Sequence, residues 1–283
     1  MYGSHLSIAG GMHNALLEAE KFGMQTVQVF TKNQQQWKCK PLDPETVELW
    51  SNNLDRLKFR ATVSHDSYLI NLASPDDRLW RASIDLFIEE IRRCESLKIP
   101  YLVTHPGAHM GTGEEAGLAR IAAALDECHA AVPGDHVTTC LEITAGQGSS
   151  LGYRLEHLAA IIEKAKHPKR LAVCLDTAHL FAAGYDFRGK KYDEFRKQLD
   201  SIIGIERVKV LHLNDSKKDL GSRVDRHEHI GLGKIGKTGF IPFVRDPAWA
   251  QVPKILETAK GKRPDGREWD AVNLKTLKAM AKR

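Results

Sequence analysis

The sequence predicts a (β/α)8 barrel (TIM barrel) of the α/β class, folded as one domain over residues 1–283. Eight strand-like runs alternate with helix-like stretches, and a single domain of this length is ordinary for that fold. Acids and imidazoles recur where the strand-like runs end, which is where barrel enzymes gather their chemistry.

The strands are expected near residues 3–9, 26–32, 61–65, 101–105, 137–144, 171–176, 208–214 and 252–258. Several pass from β-branched or aliphatic residues into an acid or imidazole, as in TVSHDS, YLVTHPG, TTCLEIT, LAVCLDTAH, VKVLHLND and VPKILET. Between them, residues 81–97 place Ile84, Phe87, Ile88, Ile91 and Cys94 at steps of three and four, the apolar stripe of an amphipathic helix. Residues 155–165 repeat that pattern with Leu155, Leu158, Ala159 and Ile162, and a helix over 268–281 closes the chain. The stretch KGKRPDGR at 260–267 reads as a mobile basic loop.

Composition narrows the class of protein. A hydrophobic fraction of 42% can bury a large core. No run approaches the roughly 20 apolar residues that a membrane helix needs, so no membrane attachment is expected. The net charge of +5 suits a polyanionic partner without requiring one. Five cysteines, an odd number with no Cys-x-x-Cys pair, point to a reduced, cytoplasmic protein. Strand alternation puts Cys140 and Cys174 two residues before Glu142 and Asp176, on the same inward face, so both thiols belong to the core. Cys39, in a polar stretch beside Trp37, is the cysteine expected to be exposed.

The candidate metal ligands are His65, His105, Glu142, Asp176, His179, His212, Asp225, His227 and Glu257. Imidazole and carboxylate without thiolate suit zinc, manganese or iron better than calcium. Nine such residues exceed the needs of one tetrahedral ion, so two or three ions are expected. Asp176-x-x-His179 and Asp225-x-His227 are short two-ligand clips, while His65, His105, Glu142, His212 and Glu257 come from five strand tips that a barrel gathers around one mouth. His13, His129, His136, His157 and His167 fall in helices, helix ends or connections and read as structural or solvated. His5 and His109 lie nearer the reactive face, and His229 follows a ligand pair that it is placed to support.

These residues sit in longer segments: GSHLS at 3–7, FTKN at 30–33, HDSYLIN at 65–71, HPG at 105–107, EITAGQG at 142–148, DTAH at 176–179, FAAGYD at 181–186, HLNDSK at 212–217, GSRVDRH at 221–227 and LET at 256–258. With them the chain resembles the endonuclease IV family of apurinic/apyrimidinic (AP) endonucleases along essentially its whole length. The resemblance implies a trinuclear zinc cluster, with manganese as a substitute. One ion would be held by His65, His105 and Glu142, a second by Glu142, Asp176, His212 and Glu257, and a third by His179, Asp225 and His227. The implied reaction is hydrolysis 5′ to an abasic site, leaving a 3′-hydroxyl and a 5′-deoxyribose phosphate, together with removal of 3′ phosphates and phosphoglycolates. Glu142 and Glu257 would be the catalytic pair, Glu257 also orienting the nucleophile.

The implied substrate is double-stranded DNA with abasic sites or blocked 3′ ends, bound by a monomer without an obligate protein partner. Asn33 and Gln35 in the loop after the second strand, and Tyr68 and Leu69 after the third, match the family's duplex-penetrating loops; Arg226 is the best phosphate contact among Lys217, Lys218, Arg223 and Arg226. An abasic nucleotide lacks stacking, so such a loop extrudes it at lower cost than an intact base. Gln35 stands where some members place arginine, which weakens the electrostatic hold, and Ala178 stands where relatives often have cysteine. The competing reading is a sugar isomerase or epimerase, since Glu142, Asp176, His212 and Glu257 alone would make a one-metal site on the same barrel. Such an enzyme has no evident use for the five other ligands. An AP lyase would need a nucleophilic amine, and no lysine sits in a strand-tip position resembling a nucleophile. A DNA- or metal-binding protein without catalysis would be favoured by a missing ligand, and all nine are present.

Overall fold

Every strand that starts a βα unit returns to one parallel sheet. A computed structural model describes residues 1–282. The first half of the chain runs β1 (Tyr2–Ser4), α1 (His13–Lys21), β2 (Gln28–Val29), α2 (Pro44–Leu57), β3 (Val63–His65), α3 (Asp77–Ser96), β4 (Tyr101–Thr104), α4 (Glu114–Ala131), β5 (Thr138–Glu142) and α5 (Leu155–Lys164). The second runs β6 (Leu171–Asp176), α6 (Thr177–Ala183), α7 (Lys191–Ile202), β7 (Val208–His212), β8 (Asp215–Ser216), β9 (His227–Glu228), α8 (Gly236–Arg245), β10 (Lys254–Leu256) and α9 (Trp269–Ala281). The sheet order is β1, β10, β7, β6, β5, β4, β3, β2, and β8 and β9 form a separate antiparallel hairpin. The architecture is a single-domain TIM barrel.

The barrel's seam lies between β1 and β2. There a parallel bridge joins His5 to Gln28, and the Leu6 N–H donates to the Gln28 carbonyl at 2.9 Å. Gly3 permits this approach, because a Cβ there would collide with the Thr26 carbonyl.

Two apolar layers flank the sheet. Between sheet and helices pack Leu16, Ile84, Phe87, Leu125, Leu158 and Phe243. Inside the barrel lie Val63, Val103, Cys140, Ala172, Cys174, Val210 and Ile255. All of these but Ala172 stand two residues before His65, His105, Glu142, Asp176, His212 and Glu257. Side chains two apart share a strand face, so each ligand candidate continues an inward column just past the packed core. Cys140 and Cys174 are buried there and Cys39 is only partly covered.

Most paired segments are shorter than the apolar runs suggested. Residues 26–32 pair only as β2, yet Thr31 and Lys32 are still buried, so the apolar pattern follows burial beyond the hydrogen-bonded ladder. Helix α3 starts before residue 81 because the Asp76 side chain caps it, accepting from the Arg78 and Leu79 N–H groups at 2.8 and 3.0 Å. The basic stretch at 260–267 is not an irregular loop. It is a hairpin closed by the Lys262–Glu268 bridge, by Arg263 N–H to the Arg267 carbonyl at 2.9 Å, and by Arg267 paired to Asp265. A Pro-Asp-Gly turn supplies the reversal that the sequence offered only as a breaker signal.

Candidate metal centre

Glu142, the last residue of β5, is fully buried at the floor of the barrel mouth. Its Oε2 lies 3.2 Å from His65 Nε2 and 3.4 Å from His105 Nε2, and its Oε1 lies 3.1 Å from both His212 Nδ1 and His179 Nδ1. His65 and His212 end β3 and β7, His105 follows β4, and Glu257 follows β10. Glu257 Oε2 is 3.1 Å from His212 Nδ1. Asp176 ends β6 and caps α6, accepting from the His179 N–H at 2.9 Å, which turns His179 back over the mouth.

Asp225 and His227 come from the long excursion after β7, not from the eight-stranded sheet. Asp225 Oδ2 lies 3.2 Å from His179 Nε2, and Asp225 Oδ1 lies 3.4 Å from His227 Nε2. His227 Nε2 also approaches Asp176 Oδ2 at 3.6 Å. The donor atoms fall into three main groups, each within 4.8 Å: His65, His105 and Glu142; Glu142, Asp176, His212 and Glu257; and Asp176, His179 and His227. The third differs from the set expected from resemblance, since Asp176 joins it and Asp225 stands beside it.

Burial alone would neutralise these groups, but the pairing of carboxylate with imidazole overrides it. Glu142 and Glu257 are held well below the usual carboxylate range by His212 and its neighbours. His179 and His212 are lifted well above the usual imidazole range against the same desolvation. His65 rises to about 9, because Glu142, Asp66 and Glu257 outweigh its burial. Asp225 falls to about 2, its burial outweighed by His179, His227 and His105.

The donor set fits divalent cations. Glu142 meets four imidazoles, and no lysine or arginine pairs with it among the described residues. Two imidazole nitrogens, His179 Nε2 and His227 Nε2, face each other at 3.4 Å between carboxylates, an arrangement that a shared cation explains. The Cys174 thiol also reaches the Glu142–His212 group. Burial pushes that thiol up to about 12.

Sequence reasoning missed the groups that brace this set. Gln28 accepts at Oε1 from His212 Nε2 at 2.8 Å, while its Nε2 reaches both His5 Nδ1 and Glu257. Asn214 Nδ2 donates to Asp176 at 2.6 Å, and Asn214 Oδ1 accepts from the Glu257 N–H at 2.7 Å. Asp66 accepts from Thr104 Oγ1 at 2.6 Å and stands 3.4 Å from His65 Nδ1. A polar residue inside an apolar strand run was the available signal for Gln28, and spacing two beyond His212 was the signal for Asn214.

Of the expected DNA-facing residues, Asn33 and Tyr68 line a cavity with His5, His227 and Glu257 at the mouth. Asn33 Oδ1 accepts from the Gln35 N–H at 2.9 Å, and the buried Lys32 pins the loop through the Asn33 and Gln36 carbonyls. Tyr68 is 66% exposed, whereas Leu69 is half-buried against the core. Lys217, Lys218, Arg223 and Arg226 are exposed, with the Arg223 guanidinium 4.5 Å over the Tyr153 ring. His109 Nδ1 accepts from the Gly111 and Gly113 N–H groups. His229 stacks on Trp269 with ring centroids 3.6 Å apart. His129 is buried against Thr139.

The family model matching residues 16–280 describes a xylose isomerase-like TIM barrel. A probable endonuclease 4 from Chloroflexus aurantiacus is 49% identical over 99% of this chain and 97% of its own length. The crystal structure of endonuclease IV from Thermus thermophilus is 34% identical, with a TM-score of 0.87 over 99% of this chain and 98% of that one. A D-tagatose 3-epimerase-like protein, 18% identical with a TM-score of 0.75 over 99% and 97% of the two chains, shares the fold alone. The sugar-isomerase alternative is therefore only a distant fold relative. With full-length identity of this order and three adjoining donor groups at the barrel mouth, the chain belongs to the endonuclease IV family and is a hydrolytic nuclease.

Proposed function

We propose that this protein hydrolyses the phosphodiester on the 5′ side of an abasic site in duplex DNA. The products are a 3′-hydroxyl and a 5′-deoxyribose phosphate, and the same centre clears phosphate and phosphoglycolate from blocked 3′ ends. The observation that carries this reading is the set of adjoining donor groups sharing Glu142 and Asp176, on a chain so similar to endonucleases 4.

Three zinc ions, replaceable by manganese, would be held by His65, His105 and Glu142; by Glu142, Asp176, His212 and Glu257; and by His179, Asp225 and His227. Bound there, they would lower the pKa of water from 15.7 to about 7 and would offset charge at phosphorus. Glu142 contributes one carboxylate oxygen toward each of two groups, which holds the pair together from a site closed to solvent. Glu257 opens partly onto the mouth and is braced by Gln28, so its carboxylate orients the attacking water. Arg226 projects its guanidinium beside Asp225 and takes a phosphate oxygen. Tyr68, with Leu69 supporting its loop, fills the gap left by the missing base, while Asn33 and the neutral Gln35 track the duplex from the loop after β2. The protein acts as a monomer on cytoplasmic DNA, without an obligate protein partner.

The test uses a labelled duplex with one tetrahydrofuran abasic analogue, which cannot undergo β-elimination. Cutting 5′ to the analogue, lost on prolonged chelation and restored by zinc, is expected. No cutting by the folded, fully metallated protein overturns the assignment.

A further inference from the structure

The most exposed large apolar side chains among the described residues are Tyr68 at 66%, Met110 at 65% and Leu232 at 61%. Tyr68 and Met110 stand in the loops that follow β3 and β4, and Leu232 stands between β9 and α8 in the excursion after β7, at the end of the barrel that carries the ligand groups. Each is thus on the barrel face where such enzymes meet their substrates.

Met110 differs from the other two in its backbone. Its φ is 48°, the left-handed region that non-glycine residues rarely adopt. Lys58, Lys98 and Arg223 share that conformation; Lys58 and Lys98 each close a helix, where a left-handed residue is ordinary, and Arg223 lies in the excursion after β7, where its N–H donates to the Ala182 carbonyl at 2.9 Å. Met110 ends no helix. It also sits beside Gly111, so glycine at the strained position itself would have been the relaxed choice. One residue thus bears both a strained backbone and an exposed thioether, and strain of this kind is retained where the surrounding structure uses it.

The surroundings hold the loop in this shape. His109 Nδ1 accepts from the Gly111 and Gly113 N–H groups, both at 3.2 Å. The His109 N–H donates to the Ser149 carbonyl at 3.1 Å, and the Leu151 N–H donates to the Gly107 carbonyl at 2.7 Å, tying the loop to the one after β5. Met110 itself contacts the Ser149 hydroxyl at 3.6 Å through its sulfur. At the base of the loop, Ala108 lines the same cavity as Tyr68, His105, His179 and Asp225.

We infer that Met110 contacts the DNA substrate, packing its thioether against the nucleotides flanking the abasic gap from the β4 side while Tyr68 approaches from the β3 side. This rests on the duplex reading above. A flexible, polarizable thioether suits an irregular, unstacked surface better than a stiff side chain does.

The experiment compares the zinc-loaded wild type with Met110→Gly and Met110→Leu on the tetrahydrofuran duplex, following kcat, KM and Tm. Met110→Gly relieves the strained backbone, so its Tm should equal or exceed that of the wild type. Its KM should rise about fivefold with kcat within about twofold, while Met110→Leu stays near the wild type in KM. A Met110→Gly protein with unchanged KM overturns the inference. So does a rise in KM accompanied by a lower Tm, which would mark a structural role. A wild type that does not cut defeats the endonuclease reading itself, whereas a cutting wild type with an indifferent variant defeats only the role of Met110.

Discussion

The ring of strand-tip donors and the excursion after β7 deliver side chains to one centre by different physical means. In the ring, the positions of His65, His105, Glu142, Asp176, His212 and Glu257 follow from pleated strands packed on an apolar barrel interior. Many contacts share the task, and no single loop sets the geometry. Asp225 and His227 have no such backing. Their segment is organised by Asp215, a fully buried carboxylate that accepts the Ser216, Gly231, Gly233 and Ile235 N–H groups at 2.8 to 3.1 Å. A second brace is the His229 ring on Trp269, with Asn273 accepting from the Ile230 N–H at 3.2 Å. One half of the centre therefore inherits its precision from the fold, whereas the other depends on a few polar contacts that one substitution can remove.

The largest effect should come from the shared floor of the ring. Glu142→Gln is expected to cut incision by at least about 10³-fold with an unchanged far-UV spectrum, since the barrel beneath does not rely on that charge. Turnover within about tenfold of the wild type would show that the ring does not work through a shared carboxylate.

The excursion should fail differently. Asp215→Ala leaves four N–H groups without their acceptor, a loss on the order of 3 kcal/mol in stability. It should lower incision by about 10- to 100-fold and release the metal of the His179–His227 group while the ring keeps its own. Metal analysis, Tm and incision assays read this directly, and full metal content with wild-type activity would erase the distinction between the two halves.

The smallest effect on incision concerns the outer helix layer. His129 is buried against Thr139, and burial holds its pKa near 3 against an ordinary value of 6.5. The unfolded chain therefore takes up that proton first on acidification. The stability associated with neutral His129 is complete above about 6.5 and lost progressively as pH falls toward about 3, by up to a few kcal/mol. Denaturant titrations across that window should show a shallower acid slope for His129→Gln, with incision at neutral pH unaffected. An unchanged slope would place the acid sensitivity elsewhere.

Most of the barrel was legible because its logic is local. The two-residue alternation that puts Cys140 before Glu142 and Cys174 before Asp176 is written in the chain, and so is the switch from strand-like to helix-like spacing after each run. Ligand candidates could be named because acids and imidazoles at strand ends are conspicuous against apolar neighbours. Gln28, Asn214 and Asp66 were not conspicuous, since an amide or carboxylate takes its role from partners distant in sequence: 184 positions separate Gln28 from His212.

Fold class, the inward face of the strands and the chemical character of the site could thus be read from the chain alone, because they depend on periodicity and residue type. How the donors divide into groups, with Asp176 beside His179 and His227 and Asp225 at their edge, was settled by packing. The same holds for the hairpin at 260–268 and the strained, exposed Met110. Each depends on distances set when segments far apart in the chain pack together, and no local pattern encodes those distances.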